Sequence, residues 1–343
     1  MLIRILTFGS TFAMSLAFAL YLTPFIRRGA LVFGVLDRPD GLLKRHPAPV
    51  PYLGGIAVYL AFLLTLSIVF SFSKELLGLL LGGTMLAMLG LFDDLRVIAP
   101  RLKFAGQLLA TWVMLRCDIA IQIVALPPSV TIPLTFLWLV GITNAINILD
   151  VSDGLATGVS AIAALAFFVV AVIDGNLAMA VTTLALVGAL VGFLRYNQPP
   201  AQIYLGDTGS LFVGFMLGAL AIAGAYAQRN DAALMAPVVI LGVPILETTL
   251  VVFARLGRGT SPFAGSNDHL AARLKARGWS ARRVLAFAYG LSLIGATGGI
   301  ALVLCELTTA LMILGALATL FVAVLLWLFY ACPPPLGITQ ATQ

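Results

Sequence analysis

The feature that most limits this chain is a series of apolar runs, each about 18 to 25 residues long, that follow one another through most of its length. A run of that length crosses a hydrocarbon core of roughly 30 Å as a helix, the form in which a lone segment satisfies its backbone polar groups without water. Eleven can be marked, at 5–26, 53–71, 76–92, 104–117, 131–148, 155–173, 177–194, 209–227, 233–254, 284–304 and 307–330. Only 10% of the residues are charged, the mean hydropathy is +1.07, and no hydrophilic stretch is long enough for a soluble domain. The expected fold class is therefore an all-α polytopic integral membrane protein of about eleven transmembrane helices, a single domain over 1–343 with a flexible tail at 331–343. The first run lacks a small-residue cleavage site followed by a polar region and is read as a retained span. Cys117, Cys305 and Cys332 show neither paired nor metal-ligand spacing.

Lys and Arg concentrate in short cytoplasmic loops, so their distribution orients the bundle. Sixteen of the twenty lie in the loops after spans 1, 3, 5, 7 and 9, and the others are Arg4, Lys74, Arg116 and Arg229. The N-terminus is then expected outside and the C-terminus in the cytoplasm. The net charge of +6 is the ordinary result of such a bias and implies no nucleic-acid partner.

Sorting the fourteen acidic residues by this topology is more informative. Glu75, Asp118, Asp174, Asp231 and Glu306 fall in outer turns. The other nine lie on or near the inner side, among them Asp93 and Asp94 in "GLFDDLRVIAPRLK", Asp150 and Asp153 in "NAINILDVSDGLA", Asp207 in "IYLGDTGSL", and Asp268 beside His269 in the last loop. Five aspartates at the inner ends of three hairpins would each cost several kcal/mol if left unpaired at the edge of hydrocarbon. Loop Lys and Arg, water or a divalent metal can gather them. Hard oxygen ligands without cysteine suit Mg²⁺ or Mn²⁺, and one or two carboxylates plus water and phosphate is the common pattern in phosphoryl transfer. If the chain is helical after Asp150, Asp150 and Asp153 share a face. Asp93 and Asp94 are about 100° apart on a helix, so one is expected as a base or anchor and the other as a metal or cation partner. Asn144 and Asn147 repeat the three-residue spacing, either as helix-packing amides or as ligands for a polar substrate. Lys44 and His46, in a first loop punctuated by prolines, are candidates for an ordered functional segment.

"DRPDGLLKRHPAPVPYLGG", "LGLFDDLRVIAPRLKFAGQ", "TNAINILDVSDGLATG", "IYLGDTGSLFVGF" and "PILETTLVVFARLGRGTSPFAGSNDHLAARL" resemble, in order, the cytoplasmic motifs of the polyprenyl-phosphate N-acetylhexosamine-1-phosphate transferases. The resemblance covers roughly residues 37 to 283. It implies that a lipid phosphate such as undecaprenyl phosphate attacks the β-phosphate of a UDP-N-acetylhexosamine, releasing UMP, with Mg²⁺ required. It also implies a bacterial inner (cytoplasmic) membrane enzyme whose site faces the cytoplasm, and it allows a homodimer. By motif, Asp207 is the metal-ligand aspartate, and Asp150 and Asp153 line its cleft, Asp150 as a second ligand. The pair Asp93 and Asp94 supplies a base and a substrate or metal contact. Lys103 meets phosphate, Asn144 and Asn147 lie near the nucleotide, and Tyr204 stacks on uracil.

The last loop departs from the pattern. Where many members carry Asp followed by "HLHHR", Asp268 and His269 are followed by Leu270, Ala271, Ala272 and Arg273. Asp268 is counted among the substrate contacts and His269 among the catalytic residues, and His269 and Arg273, four apart, are expected at the pyrophosphate or sugar. Tyr52 stands where an arginine often precedes Leu-Gly-Gly. Lack of a triple histidine argues against a MurNAc-pentapeptide donor and leaves UDP-GlcNAc as first choice. An ion-coupled transporter is the chief rival, but its site would lie at mid-membrane between repeats. An intramembrane aspartyl protease, suggested by Asp-Thr-Gly-Ser, requires two carboxylates sharing a proton within the bundle.

Overall fold

The computed structural model describes residues 2–37, 49–69, 73–121, 126–224, 226, 230–261, 267–332 and 334. Lys44 and His46 lie outside them, as does most of the 331–343 tail. The described chain is a helix bundle: α1 Leu2–Phe33, α2 Gly54–Val69, α3 Lys74–Leu95, α4 Pro100–Arg116, α5 Pro128–Leu149, α6 Leu155–Ile173, α7 Leu177–Asn197, α8 Gly206–Ile222, α9 Ala236–Ile240, α10 Gly242–Gly257, α11 Leu270–Ala276, α12 Ala281–Leu304 and α13 Leu307–Leu326. Local chemistry sets several starts. Ser73 and Asn176 cap α3 and α7 by accepting from the Leu76 and Met179 amides at 3.2 and 3.0 Å. Pro100 and Pro128 open α4 and α5, where a missing N–H is not needed.

Among the described residues every expected span overlaps a helix, and seven of these helices are long and apolar enough to cross a membrane, or eight if one bent pair is a single span. The bent pair corrects the run 233–254, expected as one helix. The segment Asp231–Ile240 and α10 meet at 68°. Pro244, in the first turn of α10, has no N–H to continue a helix back to Ile240, and its ring would strike that carbonyl. At 17 residues, α8 is about 25 Å long, less than the hydrocarbon core. At its N-terminal end the chain is carried on by a loop whose Ile203 and Leu205 are buried in protein, which a bundle interior tolerates.

α8 is the centre of the bundle. Fifteen of its seventeen residues are buried, so it is apolar all round and meets protein on every side. It packs on α2, α3, α5 and α6. Small residues set the distance, because a Cβ on Gly55 of α2 would collide with the Gly209 backbone, and one on Gly90 of α3 with the Asp207 carbonyl. Trp138 of α5 donates its indole N–H to the Gly218 carbonyl at 2.9 Å. At the periphery, α1 and α13 bury only 17% and 11% of their most apolar windows, which marks them as lipid-facing rather than core.

A two-residue ladder pairs Leu36 with Pro51 and Asp37 with Val50. Its outer edge continues into the chain before α8, where the Tyr204 amide donates to the Pro51 carbonyl at 2.9 Å and the Gly54 amide to the Tyr204 carbonyl at 3.0 Å. The stem of the first loop is thus pinned beside the start of α8. Substituting Gly90→Ala, where the obstacle is backbone and cannot swing aside, is expected to cost about 1–3 kcal/mol and to lower the thermal midpoint in detergent. Gly141→Ala, with open space around it, should leave the midpoint unchanged.

Candidate active site

The N-terminus of α8 gathers the inner carboxylates. Asp94, in the last turn of α3, accepts from the Asp207 amide at 2.8 Å, the Thr208 amide at 3.0 Å and the Thr208 hydroxyl at 2.6 Å. These are the orphan N–H groups of a helix start, at the positive end of its dipole. Gly206 makes this approach possible, since its φ is +71° and a Cβ there would stand 2.8 Å from Asp94 Oδ2. Asp150, just past the end of α5, lies against the Gly206 amide. Burial, followed by the charges of Asp207 and Asp94, pushes its carboxyl up to about 8, although the side chain keeps some exposure to the cleft and the Gly206 amide pulls the other way.

Asp93 and Asp207 share a cation. Lys103 Nζ, in the first turn of α4, bonds Asp93 Oδ2 at 3.0 Å and also Asp207 Oδ2. The other oxygens are held as well, Asp93 Oδ1 by the Ile98 amide at 2.8 Å and Asp207 Oδ1 by Asn147 Nδ2 at 2.8 Å. The two members of the aspartate pair thus divide their work. Asp94 is saturated by backbone and hydroxyl donors, while Asp93 and Asp207 meet the cleft around Lys103. The two asparagines divide likewise. Asn147 joins the cluster, whereas Asn144 pairs reciprocally with Gln107 of α4 at 2.7 and 3.2 Å and serves helix packing.

Asp153 is not on one face with Asp150. The chain leaves the helix at Asp150 and turns through Gly154 at φ +72° before α6, so the three-residue helical spacing does not apply. Asp153 Oδ2 accepts the Ala201 amide at 3.0 Å. Tyr204 lies at the rim, its ring centroid 6.1 Å from that of Tyr52. Burial and the neighbouring Asp37 carboxylate push the Tyr52 phenol up.

The last loop forms a separate cluster. Asp268, fully buried, bonds Arg258 and Arg273. Arg273, 3% exposed, donates to the Asp268 carbonyl at 2.8 Å and to the Leu328 and Cys332 carbonyls at 3.1 and 3.0 Å. Both were expected at the substrate, and both are instead buried in a lock that ties the loop to the end of the last helix. His269 is held by Glu247, whose carboxylate meets Nδ1 at 2.9 Å and accepts the Leu270 amide at 3.0 Å. Glu247 was missed as a site residue, although an acid within an apolar run was the available signal.

Residues 76–225 match the family model described as Glycosyl transferase family 4. That interval holds Asp93, Asp94, Lys103, Asn147, Asp150 and Asp207. A probable undecaprenyl-phosphate N-acetylglucosaminyl 1-phosphate transferase of Bacillus subtilis is 31% identical over 308 residues, 87% of this chain and 86% of that one. The chain belongs to glycosyl transferase family 4. A decaprenyl-phosphate N-acetylglucosaminephosphotransferase of Mycobacterium leprae is 32% identical over 282 residues, 71% of each chain. A phospho-N-acetylmuramoyl-pentapeptide-transferase of Halalkalibacterium halodurans is 32% identical over 314 residues, 82% of this chain and 92% of the relative.

For this family-4 chain the residues present can be tested against a divalent cation. Among the described residues no group of three or more His, Cys, Asp or Glu side chains forms a ready cage. A Mg²⁺ site needs only one or two carboxylates when water and phosphate complete it. Asp150 and Asp207 meet that requirement, because they converge on one helix terminus and their mutual repulsion is part of what raises Asp150. The donor set fits. The division of labour in the aspartate pair also has a measurable consequence. Asp94→Asn should lower stability by roughly 1–3 kcal/mol, the scale of charged hydrogen bonds lost at a buried helix start, read as a fall in thermal midpoint. Asp93→Asn should lower activity with a much smaller fall, and equal falls would contradict Asp94 as the anchor.

Proposed function

We propose that this chain transfers a phospho-N-acetylhexosamine from a UDP-sugar to a polyprenyl phosphate, undecaprenyl phosphate in the first instance, with UDP-GlcNAc as donor. A lipid phosphate oxygen attacks the β-phosphorus of the UDP-sugar. One phosphoanhydride bond forms, the bond to UMP breaks, and the products are polyprenyl-diphospho-sugar and UMP. The observation that carries the reading is the Asp93–Lys103–Asp207 bridge beside the carboxylate-capped start of α8, in a chain 31% identical to a relative named for this transfer.

Two anionic substrates repel each other, so the site must bring positive charge to the reacting phosphates. Lys103 Nζ is held between two carboxylates that have further partners of their own, where it can pass to a phosphate oxygen without leaving a buried charge bare. Asp207 and Asp150 would hold Mg²⁺, with Mn²⁺ as a substitute. When bound, the metal screens the phosphates and withdraws charge from the transferring group. Asp93, whose partner Asp94 is consumed as an anchor, is the member of the pair that could take a proton from the lipid phosphate once Lys103 passes from it to a phosphate oxygen. Asn147 keeps Asp207 oriented by holding Oδ1 and is itself braced by Ser210 Oγ at 2.8 Å. Tyr204 would stack on the base. His269, oriented by Glu247, is the side chain of the last loop nearest to a substrate role.

The proposed setting is the cytoplasmic membrane, crossed eleven times, with the N-terminus outside and the cluster facing the cytoplasm, where UDP-sugars are made. A homodimer is compatible with this arrangement. Purified protein supplied with polyprenyl phosphate, Mg²⁺ and UDP-GlcNAc should release UMP, and EDTA should stop it until Mg²⁺ or Mn²⁺ is restored. Silence from a full panel of UDP-N-acetylhexosamines would overturn the reading. Asp207→Asn should abolish turnover without changing the thermal midpoint by more than a few degrees. For the topology, single cysteines in a cysteine-free background should react with an impermeant maleimide added outside at position 118 and not at position 101.

A further inference from the structure

Asp150 opens the loop 150–154 between α5 and α6, and Asp207 stands in the first turn of α8, just after the loop 198–205 that leads out of α7. Neither loop has regular hydrogen bonding of its own, so something must fix one against the other. Asn197, the last residue of α7, does so. It is 2% exposed, and its side chain turns away from its own helix. Oδ1 accepts the Gly154 amide at 3.1 Å and the Thr157 hydroxyl at 2.8 Å, and Nδ2 donates to the Ile203 carbonyl at 3.0 Å. One planar amide therefore grips both loops at once.

Two further ties run in parallel. Asp153 holds the Ala201 amide, and Tyr289 of α12 donates to the Gly154 carbonyl at 2.7 Å. The first joins the same two loops and the second fastens only the loop before α6 to α12, whereas Asn197 alone among these contacts uses donor and acceptor ends of one side chain, at Gly154, four residues after Asp150, and at Ile203, four residues before Asp207.

We propose that Asn197 is a positioning residue that sets the spacing between Asp150 and Asp207, and through them the affinity of this site for a divalent cation. The inference rests on the transferase and cation reading given above. An amide fits the task better than a carboxylate, because the group must accept from one loop and donate to the other in a buried setting where an unmatched lone pair is costly.

The test is Mn²⁺ binding to the purified protein in detergent, followed by the electron paramagnetic resonance signal of the free ion, with no substrate present. Asn197→Asp keeps the volume and the two accepted bonds and loses the donor to Ile203, and Thr157→Val removes one donor to Oδ1 as a milder variant. The control is Asn230→Asp. Asn230 is also a buried clasp, donating to the Leu302 and Cys305 carbonyls at 2.9 and 2.8 Å and accepting the Ala233 amide at 2.9 Å, but it lies at the far end of α12. The expected result is a rise in the Mn²⁺ dissociation constant of tenfold or more for Asn197→Asp and about threefold for Thr157→Val, with Asn230→Asp within twofold of the unaltered protein despite a comparable loss of thermal midpoint. In turnover, the Mg²⁺ concentration for half-maximal rate should rise in the same order while KM for the UDP-sugar changes less than threefold. Unchanged Mn²⁺ affinity in Asn197→Asp, an equal change in Asn230→Asp, or an unaltered protein that binds no Mn²⁺ would each overturn the inference. Mn²⁺ binding that responds as expected in a protein releasing no UMP would uphold the clasp and sink the transferase reading instead.

Discussion

The start of α8 is the constraint on which the rest depends. A helix buried on all sides brings its unpaired N-terminal amides into the protein interior, where each must find an acceptor. In this chain the acceptors are carboxylates, Asp94 on the Asp207 and Thr208 amides and Asp150 at the Gly206 amide. The bond works in both directions. The helix terminus makes it tolerable to hold two acids beside an apolar bundle, and the acids make it tolerable to bury the terminus. α3 must then present Asp94 in its last turn, α5 must deliver Asp150, and Gly55 and Gly90 must lack side chains so that the backbones come close enough.

What remains after that pairing is an excess of negative charge. Asp93 and Asp207 face the cleft with Lys103 between them, and Asp150 is raised by burial and by its acidic neighbours. A structural network would be expected to close such charges with matched partners, as Asp268 is closed by Arg258 and Arg273 in the last loop. The two clusters thus contrast in kind. One is sealed and fixes a loop to the end of the last helix, and the other keeps a cation on a bridge where ligands of either sign can exchange with it.

Much of this was legible in the sequence, for identifiable reasons. Helices announce themselves by apolar length, so every run but 233–254, which is bent at Leu241, overlaps a single helix of the described residues. The inner carboxylates could be grouped because positive loops orient the hairpins, and this brought Asp93, Asp94, Asp150 and Asp207 to one end without any contact being known. Three things were not legible. The turn at Gly154 depends on a single positive φ, and it broke the spacing that would have joined Asp153 to Asp150. The kink at Leu241 hid inside an apolar run whose hydropathy does not register a proline in the first turn of α10. Arg273 and Asp268 carry the same residue types whether they bind a phosphate or each other, and only burial distinguishes the two.

Glu247 ties the last loop to α10. Its carboxylate is wholly buried and splits its oxygens between His269 Nδ1 and the Leu270 amide. A carboxylate at Nδ1 favours the tautomer with the proton on that nitrogen, which leaves Nε2 as an acceptor. The ring's direction is set from α10, on which Glu247 sits, while the loop's position is set from the end of the last helix through Arg273. Leu270 and Ala271 are buried, so the loop is fixed on both sides, to α10 through Glu247 and to the end of the last helix through Arg273.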